Sequence, residues 1–394
     1  MAELRGTWDP AFDGVAAALS SSLDAGTDVG ASVAVLLHGE PVVDIWGGFV
    51  DEAHSAPWER DTITNVWSTT KTMTFLCALM LADRGELDFH APVARYWPEF
   101  AAAGKEGVEV RHVLGHTAGL PGWDQPVEPE DLADWERCTA RLAAQEPWWE
   151  PGTASGYHAV TQGYLVGELV RRITGATLGT WFASEVAGPL GADFFIGLPE
   201  REDHRVSLVI PPPPEDLGLL KPSPIALRAM GNPPLDATWP AHEWWRRAEI
   251  PAANGHGNAR SVAAVQAVIA GRGEVAGVRL LSERGCDAVF EEQASGRDLV
   301  LGLPLRFGMG YGLGHDFMPI GPRACYWGGF GGSLVVMDQD LGLTVCYVMN
   351  RMESGLQGDV RGGTVMLAAA GAAQAADRPA GATAAAGPAV VEGA

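Results

Sequence analysis

The 394-residue sequence predicts an α+β fold: an antiparallel β-sheet flanked by helices, with an all-helical domain inserted between the two parts of the chain that build the sheet. Three observations lead there. Two β-rich runs, 31–37 and 42–48, flank a short glycine-containing turn at His38-Gly39-Glu40-Pro41, which is the pattern of a hairpin. Three more runs, 323–328, 333–338 and 343–350, appear only near the other end and are separated by glycine-rich turns. Between them the pattern is helical and loop-rich, with many Pro and Trp residues. A chain of this length exceeds the usual limit for a single core. The expected division is therefore an α/β domain from 1–87 and 258–375, a mainly helical domain from 88–257, and a disordered Ala/Gly/Pro tail from 376–394.

Taken in order, residues 10–25 form an amphipathic helix with Phe12, Val15, Ala18 and Leu19 on one side. The hairpin follows. A helix beginning at Ser68 runs through a stretch that is apolar all round, so it is buried on every side. Asp83-Arg84-Gly85 ends it, with Gly85 as the residue beyond the cap. Helices are expected at 128–144 and at 162–174, where Leu165, Leu169 and Ile173 share a face and Gly175 stops the run. Residues 211–214 are four prolines and form a stiff extended segment. A helix at 261–270 takes Ser261 as its N-cap. The three late strands and a last helix near 361–375 complete the α/β domain.

Composition excludes several classes of function. The formal net charge is -22, which argues against nucleic acid or an anionic membrane as partner. The five cysteines, Cys77, Cys138, Cys286, Cys325 and Cys346, are scattered and lie mostly in apolar runs, so they read as free core thiols. Neither C-x-x-C nor H-E-x-x-H occurs. His112 and His116 are four apart, but Gly115 and the residues after His116 read as a loop, so no metal site or other cofactor is expected. The polar residues 1–9 have no apolar region behind them, and no run of eighteen apolar residues occurs. The expectation is a cytoplasmic protein, monomeric or homodimeric, acting on a small molecule.

The chemistry centres on Ser68-Thr69-Thr70-Lys71. On a helix a spacing of three places both side chains on one face, one turn apart. A serine with a lysine one turn on is the layout of a Ser/Lys nucleophile pair. The chain holds only three lysines, Lys71, Lys105 and Lys221, and most of its cations are arginines. Arginine cannot usefully give up its proton, whereas a desolvated lysine can. Bringing such an amine near neutrality needs a shift of about 3 pH units, or about 4 kcal/mol of differential solvation. Tyr157, on a loop after the Pro151-Gly152 turn, is the candidate third group able to relay protons. The segment Tyr326-Trp327-Gly328-Gly329-Phe330-Gly331-Gly332-Ser333 has four glycines that allow close backbone approach. Its Phe330 N–H, with that of Ser68, supplies candidate oxyanion donors. A lipase-type hydrolase is excluded, because no G-x-S-x-G pentapeptide exists.

Together these stretches resemble the serine β-lactamase and penicillin-binding-protein superfamily, and within it the class C β-lactamase-like carboxylesterases (family VIII esterases). The matching residues are Ser68 to Lys71, His116-Thr117-Ala118-Gly119-Leu120, Pro151-Gly152 through Tyr157, Asn254 through Ser261, and Trp327-Gly328-Gly329 with Gly331-Gly332-Ser333. The match covers about residues 30–350, in the right order. The resemblance implies Ser68 as nucleophile, Lys71 and Tyr157 as the base pair, and a cleft between the two domains. It places His158, Trp327, Gly328 and Gly329 at the substrate. Two departures matter. Where the lactamases carry an asparagine, this chain has Ala159. Where they carry a cation that grips the substrate carboxylate, it has Trp327, which removes charge-assisted recognition and offers an apolar wall. Both point to short-chain, neutral esters hydrolysed through an acyl-enzyme, with an alcohol able to replace water as the acyl acceptor. The rivals are a β-lactamase or D-alanyl-D-alanine carboxypeptidase using the same site, and a non-catalytic scaffold of the same fold.

Overall fold

The computed structural model describes residues 3–212 and 222–376. Nine antiparallel strands form the main sheet: β1 (Leu4–Trp8), β2 (Gly30–Leu37), β3 (Glu40–Gly48), β4 (Ala294–Arg297), β5 (Pro304–Phe307), β6 (Gly312–Leu313), β7 (Ala324–Gly328), β8 (Leu334–Asp338) and β9 (Leu343–Met349). Their order across the sheet is β1-β3-β2-β9-β8-β7-β6-β5-β4. The two ends of the chain meet where β2 pairs with β9, Val33 opposite Tyr347 and Ser32 opposite Val348.

Strand alternation assigns the faces. The Ser32 hydroxyl accepts from the Ala259 N–H, so its face lies under helix α5 (Ala259–Ala270). The next residue's face, with Tyr347, lies under α1 (Asp13–Asp24) and α6 (Val360–Ala376). Being central, β2 and β9 are buried on both faces, whereas β3 alternates along its length. The site-bearing helix α2 (Lys71–Asp83) is buried from Lys71 through Leu81, as its all-round apolar sequence requires, and Gly85 beyond its end has φ +76. Two further helices, α3 (Trp135–Ala144) and α4 (Thr161–Thr174), pack together, and α4 also packs on α2.

Several expectations change. Ser68 is not in α2 but in a 3₁₀ turn, Trp67–Thr70, that precedes it. The 128–144 stretch is broken at Asp134, whose extended backbone and side-chain bond to the Arg137 N–H start a new helix. Helix α5 begins two residues before Ser261. Asn258 is its N-cap, and Ser261 answers as the other half of a capping box. Strands β1 and β4–β6 were not expected. Their sequences are short, glycine-containing or largely exposed, and lack the alternation that marks a half-buried strand. Pro213, Pro214, Lys221 and residues 377–394 of the tail lie outside the described residues. All five cysteines are buried free thiols. No helix among the described residues is long and apolar enough to cross a membrane.

Candidate active site

The turn that carries Ser68 is fixed from three directions. Trp67 adopts φ +48, a left-handed conformation costing about 1–2 kcal/mol for a residue with a side chain. Its indole packs against Trp245 and Phe330, with ring centroids 5.5 and 5.4 Å away, which holds the strained residue in place. The Val66 N–H donates to Gly255 O at 2.9 Å, and the Gly255 N–H donates to Thr70 Oγ1 at 2.8 Å. Ser333 Oγ donates to Val66 O at 2.9 Å and lies 2.9 Å from Thr69 Oγ1. A Cβ on Gly329 would lie 2.4 Å from Val66 O. Glycine there lets the end of β7 close onto the nucleophile turn.

Three predicted side chains come together. Lys71 Nζ is 3.1 Å from Ser68 Oγ, and Tyr157 Oη is 2.7 Å from the same oxygen. Lys71 is fully buried, Tyr157 nearly so, and Ser68 is 8% exposed, so it is the most open of the three. Burial holds the Lys71 amine well below its ordinary value. No ion pair with a carboxylate offsets this among the described residues. Burial pushes the Tyr157 phenol up, only partly opposed by its bond to Ser68. Both shifts favour the uncharged form of the side chain. Lys71 Nζ also donates to Ala159 O at 2.7 Å and Ala252 O at 2.9 Å. With Ser68 Oγ these carbonyls make three contacts around Nζ; in the uncharged form the two N–H bonds would serve the carbonyls and leave the lone pair for the Ser68 hydroxyl.

The candidate oxyanion donors lie on the Ser68 turn and on the glycine turn after β7. The Gly329 N–H donates to Ser333 O and the Gly331 N–H to Gly355 O, both at 2.8 Å. Among the described residues neither the Ser68 nor the Phe330 N–H donates to a carbonyl, so both remain available to an incoming oxygen.

Other predicted residues do different work. His158 has both ring nitrogens engaged by the chain itself. It is fully buried, its Nδ1 donates to Gly156 O at 2.6 Å, and its Nε2 accepts from the Leu120 N–H at 3.1 Å. Burial lowers its pKa to about 3, so it is a neutral brace for the Tyr157 loop. Trp327 is 1% exposed and packs on His116, Phe75 and Phe307, so it backs Tyr157 rather than forming an open wall. Gly328 makes room for this chain's own backbone, since a Cβ there would lie 2.2 Å from Gln357 C. His116 has φ +60 beyond the short helix Val110–Leu114, and its Nδ1 accepts from the His158 N–H at 3.0 Å. It braces the Tyr157 loop. Among the described residues no cluster of His, Cys, Asp or Glu is arranged for a metal ion. Lys105 is also buried, but its ammonium bonds to Ala102 O and Gln145 O and meets no serine. Sequence reasoning missed the Ala159 and Ala252 carbonyls, which carry no side-chain signal. It also missed Asp298, whose carboxylate accepts the Tyr157 N–H.

A buried serine, lysine and tyrosine in mutual contact, beside two free amides, invite comparison with known proteins. The Beta-lactamase family model matches residues 16–370. The chain belongs to that family. Among its relatives is the "Esterase/beta-lactamase LipL" of Mycobacterium tuberculosis, 37% identical over 89% of this chain and 84% of the relative. A solved family VIII carboxylesterase is 42% identical, covers 94% of this chain and 100% of its own, and superposes with a TM-score of 0.89. A penicillin-binding-protein homologue from Caulobacter crescentus is 36% identical with the same TM-score, covering 94% of this chain and 100% of its own. The beta-lactamase-family fold and the likeness to its esterase branch, both expected from the sequence, agree with these matches.

Proposed function

We propose that this beta-lactamase-family protein is a serine carboxylesterase that hydrolyses short-chain, neutral esters through an acyl-enzyme on Ser68. The observation that carries the reading is the chain of contacts from Tyr157 Oη to Ser68 Oγ to Lys71 Nζ, at 2.7 and 3.1 Å. The esterase relative and the carboxylesterase neighbour support it.

Lys71 is the first base, because its amine is the neutral group with a lone pair on the serine, whereas the raised phenol keeps its proton. As the Ser68 proton moves to Nζ, Oγ bonds to the ester carbonyl carbon. The Ser68 and Phe330 amides hold the negative oxygen that forms. The bond to the alkoxide then breaks, and Tyr157 gives that alkoxide its proton. Lys71 returns its extra proton to Tyr157, which restores both groups. Water in the place of the departed alcohol repeats the sequence in reverse and frees the acid. No cation stands at the Trp327 position to favour an anionic substrate, which is the basis for neutral esters.

The test sets a series of nitrophenyl esters beside a chromogenic cephalosporin, with a fluorophosphonate label mapped by mass spectrometry. Ester turnover and an adduct on Ser68, both lost in Ser68→Ala, are the expected results. Faster cephalosporin turnover would replace the reading with a β-lactamase. An unlabelled Ser68 would leave only a scaffold.

A further inference from the structure

As a proton donor to the leaving alkoxide, Tyr157 has to be aimed at Ser68 Oγ, which lies 2.7 Å from its hydroxyl. Tyr157 sits on a loop, and a loop side chain needs a rigid frame to hold a hydroxyl within hydrogen-bond reach of its target. The frame comes from the opposite part of the chain. Asp298 lies just after β4 and is 1% exposed. One carboxylate oxygen, Oδ1, accepts three backbone N–H groups: those of Val300 and Leu301 at 2.9 Å, and that of Tyr157 at 3.1 Å. The first two are ordinary local loop bonds. The third spans 141 residues and joins the sheet's outer strands to the catalytic loop. Beside it the Leu299 N–H donates to Ser155 O at 2.8 Å, so residues 155 and 157 are pinned at adjacent points. From the other side His116 holds the flanking positions: its carbonyl accepts from the Gly156 N–H and its Nδ1 from the His158 N–H, both at 3.0 Å.

Two features set Asp298 apart from a routine turn residue. Its second oxygen, Oδ2, is buried, and burial raises the carboxyl's pKa against its bonds to backbone N–H groups and to the Ser155 side chain. A carboxyl buried without a cation among the described residues is costly, and a position serving only the local turn gains nothing from it. Asparagine or serine would cap the same turn without that burden. When ionised, a carboxylate gives Oδ1 stronger acceptor character for three donors than an amide would.

We propose that Asp298 is a positioning residue for Tyr157: its buried carboxylate fixes the backbone from which the phenol reaches Ser68. The proposal rests on the Ser68–Lys71–Tyr157 reading. It is not a catalytic residue, since it bonds only to backbone N–H groups. If the anchor is released, the phenol loses its registration with Ser68 Oγ. Turnover should then fall while the affinity for a small ester changes little.

The experiment is a double-mutant cycle on ester hydrolysis by the full chain. Asp298→Ala is expected to lower kcat by about 10²-fold, with KM moving less than about threefold, as expected for a misplaced catalytic group. In a Tyr157→Phe background the same substitution should cost almost nothing more, because the group it aims is already gone. Asp298→Asn keeps one acceptor oxygen and should recover part of kcat. It also serves as the single variant should the alanine protein not fold. Equal fold losses from Asp298 variants with and without the Tyr157 hydroxyl would overturn the proposal and leave Asp298 a general stabiliser. Full activity in Tyr157→Phe alone would instead overturn the proton-donor reading of Tyr157.

Discussion

Lys71 is the residue on which the chemistry turns, and its state follows from its surroundings. It is completely buried, without a carboxylate partner among the described residues, and tethered by two carbonyls. Its folded pKa lies below its unfolded value. The unfolded chain therefore binds the proton more tightly, and this group's contribution to stability grows as pH rises from the folded value toward 10.5. The same sign governs activity. In the proposed mechanism the neutral amine is the working form, so kcat/KM should fall as pH drops through the folded value and level off above it. A pH–rate profile on a neutral ester checks this, and an acid limb missing altogether would remove Lys71 as the base. Replacing Lys71 by Arg keeps a cation but removes the accessible lone pair. Turnover should drop about 10²–10⁴-fold, the usual contribution of a general base. Near-normal turnover would mean that the position supplies only charge.

At the scale of elements, the nucleophile turn depends on how closely β7 and its glycine turn approach it. An added methyl at Gly329 would press on Val66 O at 2.4 Å and Ser333 Oγ at 2.3 Å. Since Ser333 also holds Val66 O, the turn itself must shift. Gly329→Ala should cost about 1–3 kcal/mol of stability by overpacking. It should also lower esterase turnover, because the Phe330 amide, the proposed oxyanion donor, moves with it. Denaturant unfolding read beside turnover measures both. Unchanged stability and activity would show that the approach is looser than described. The capping of α5 illustrates the same dependence. Ser261 is a good cap by residue type, but Asn258 wins because its extended backbone and side-chain bond to the Ser261 N–H start the helix earlier.

For the whole molecule, the two chain ends must close the sheet before the site exists. One buried ion pair helps to fasten them. Arg361, at the start of α6, donates to Asp28 Oδ1 at 2.9 Å and to Gly331 O at 2.8 Å, and Asp28 also accepts from Tyr347 Oη at 2.6 Å. The bond to Gly331 O ties this fastening to the oxyanion turn. Removing one partner of a buried pair leaves the other uncompensated. Arg361→Met should therefore destabilise the fold by about 3–5 kcal/mol, measurable as a lower denaturant midpoint. A loss below about 1 kcal/mol, the range of a surface pair, would show that water reaches Asp28.

What the sequence determined by itself was local. The spacing of Ser68 and Lys71, the apolar girth of α2, the first hairpin and the three late strands depend on neighbours within a few residues, so periodicity and turn chemistry reveal them. Tyr157 was legible from its turn and from the resemblance that joined it to the pair. Tertiary structure decided the rest. The Lys71 bonds to Ala159 O and Ala252 O span 88 and 181 residues, and every residue carries the same carbonyl, so no side chain announces them. Strands β4–β6 form because β7 offers an edge to pair with, not because their residues favour extension. His158 has the residue type of a site histidine, and only the fold shows both of its nitrogens already engaged. Asp298 has no motif at all. Its importance lies in an N–H that comes within reach only after the chain has closed.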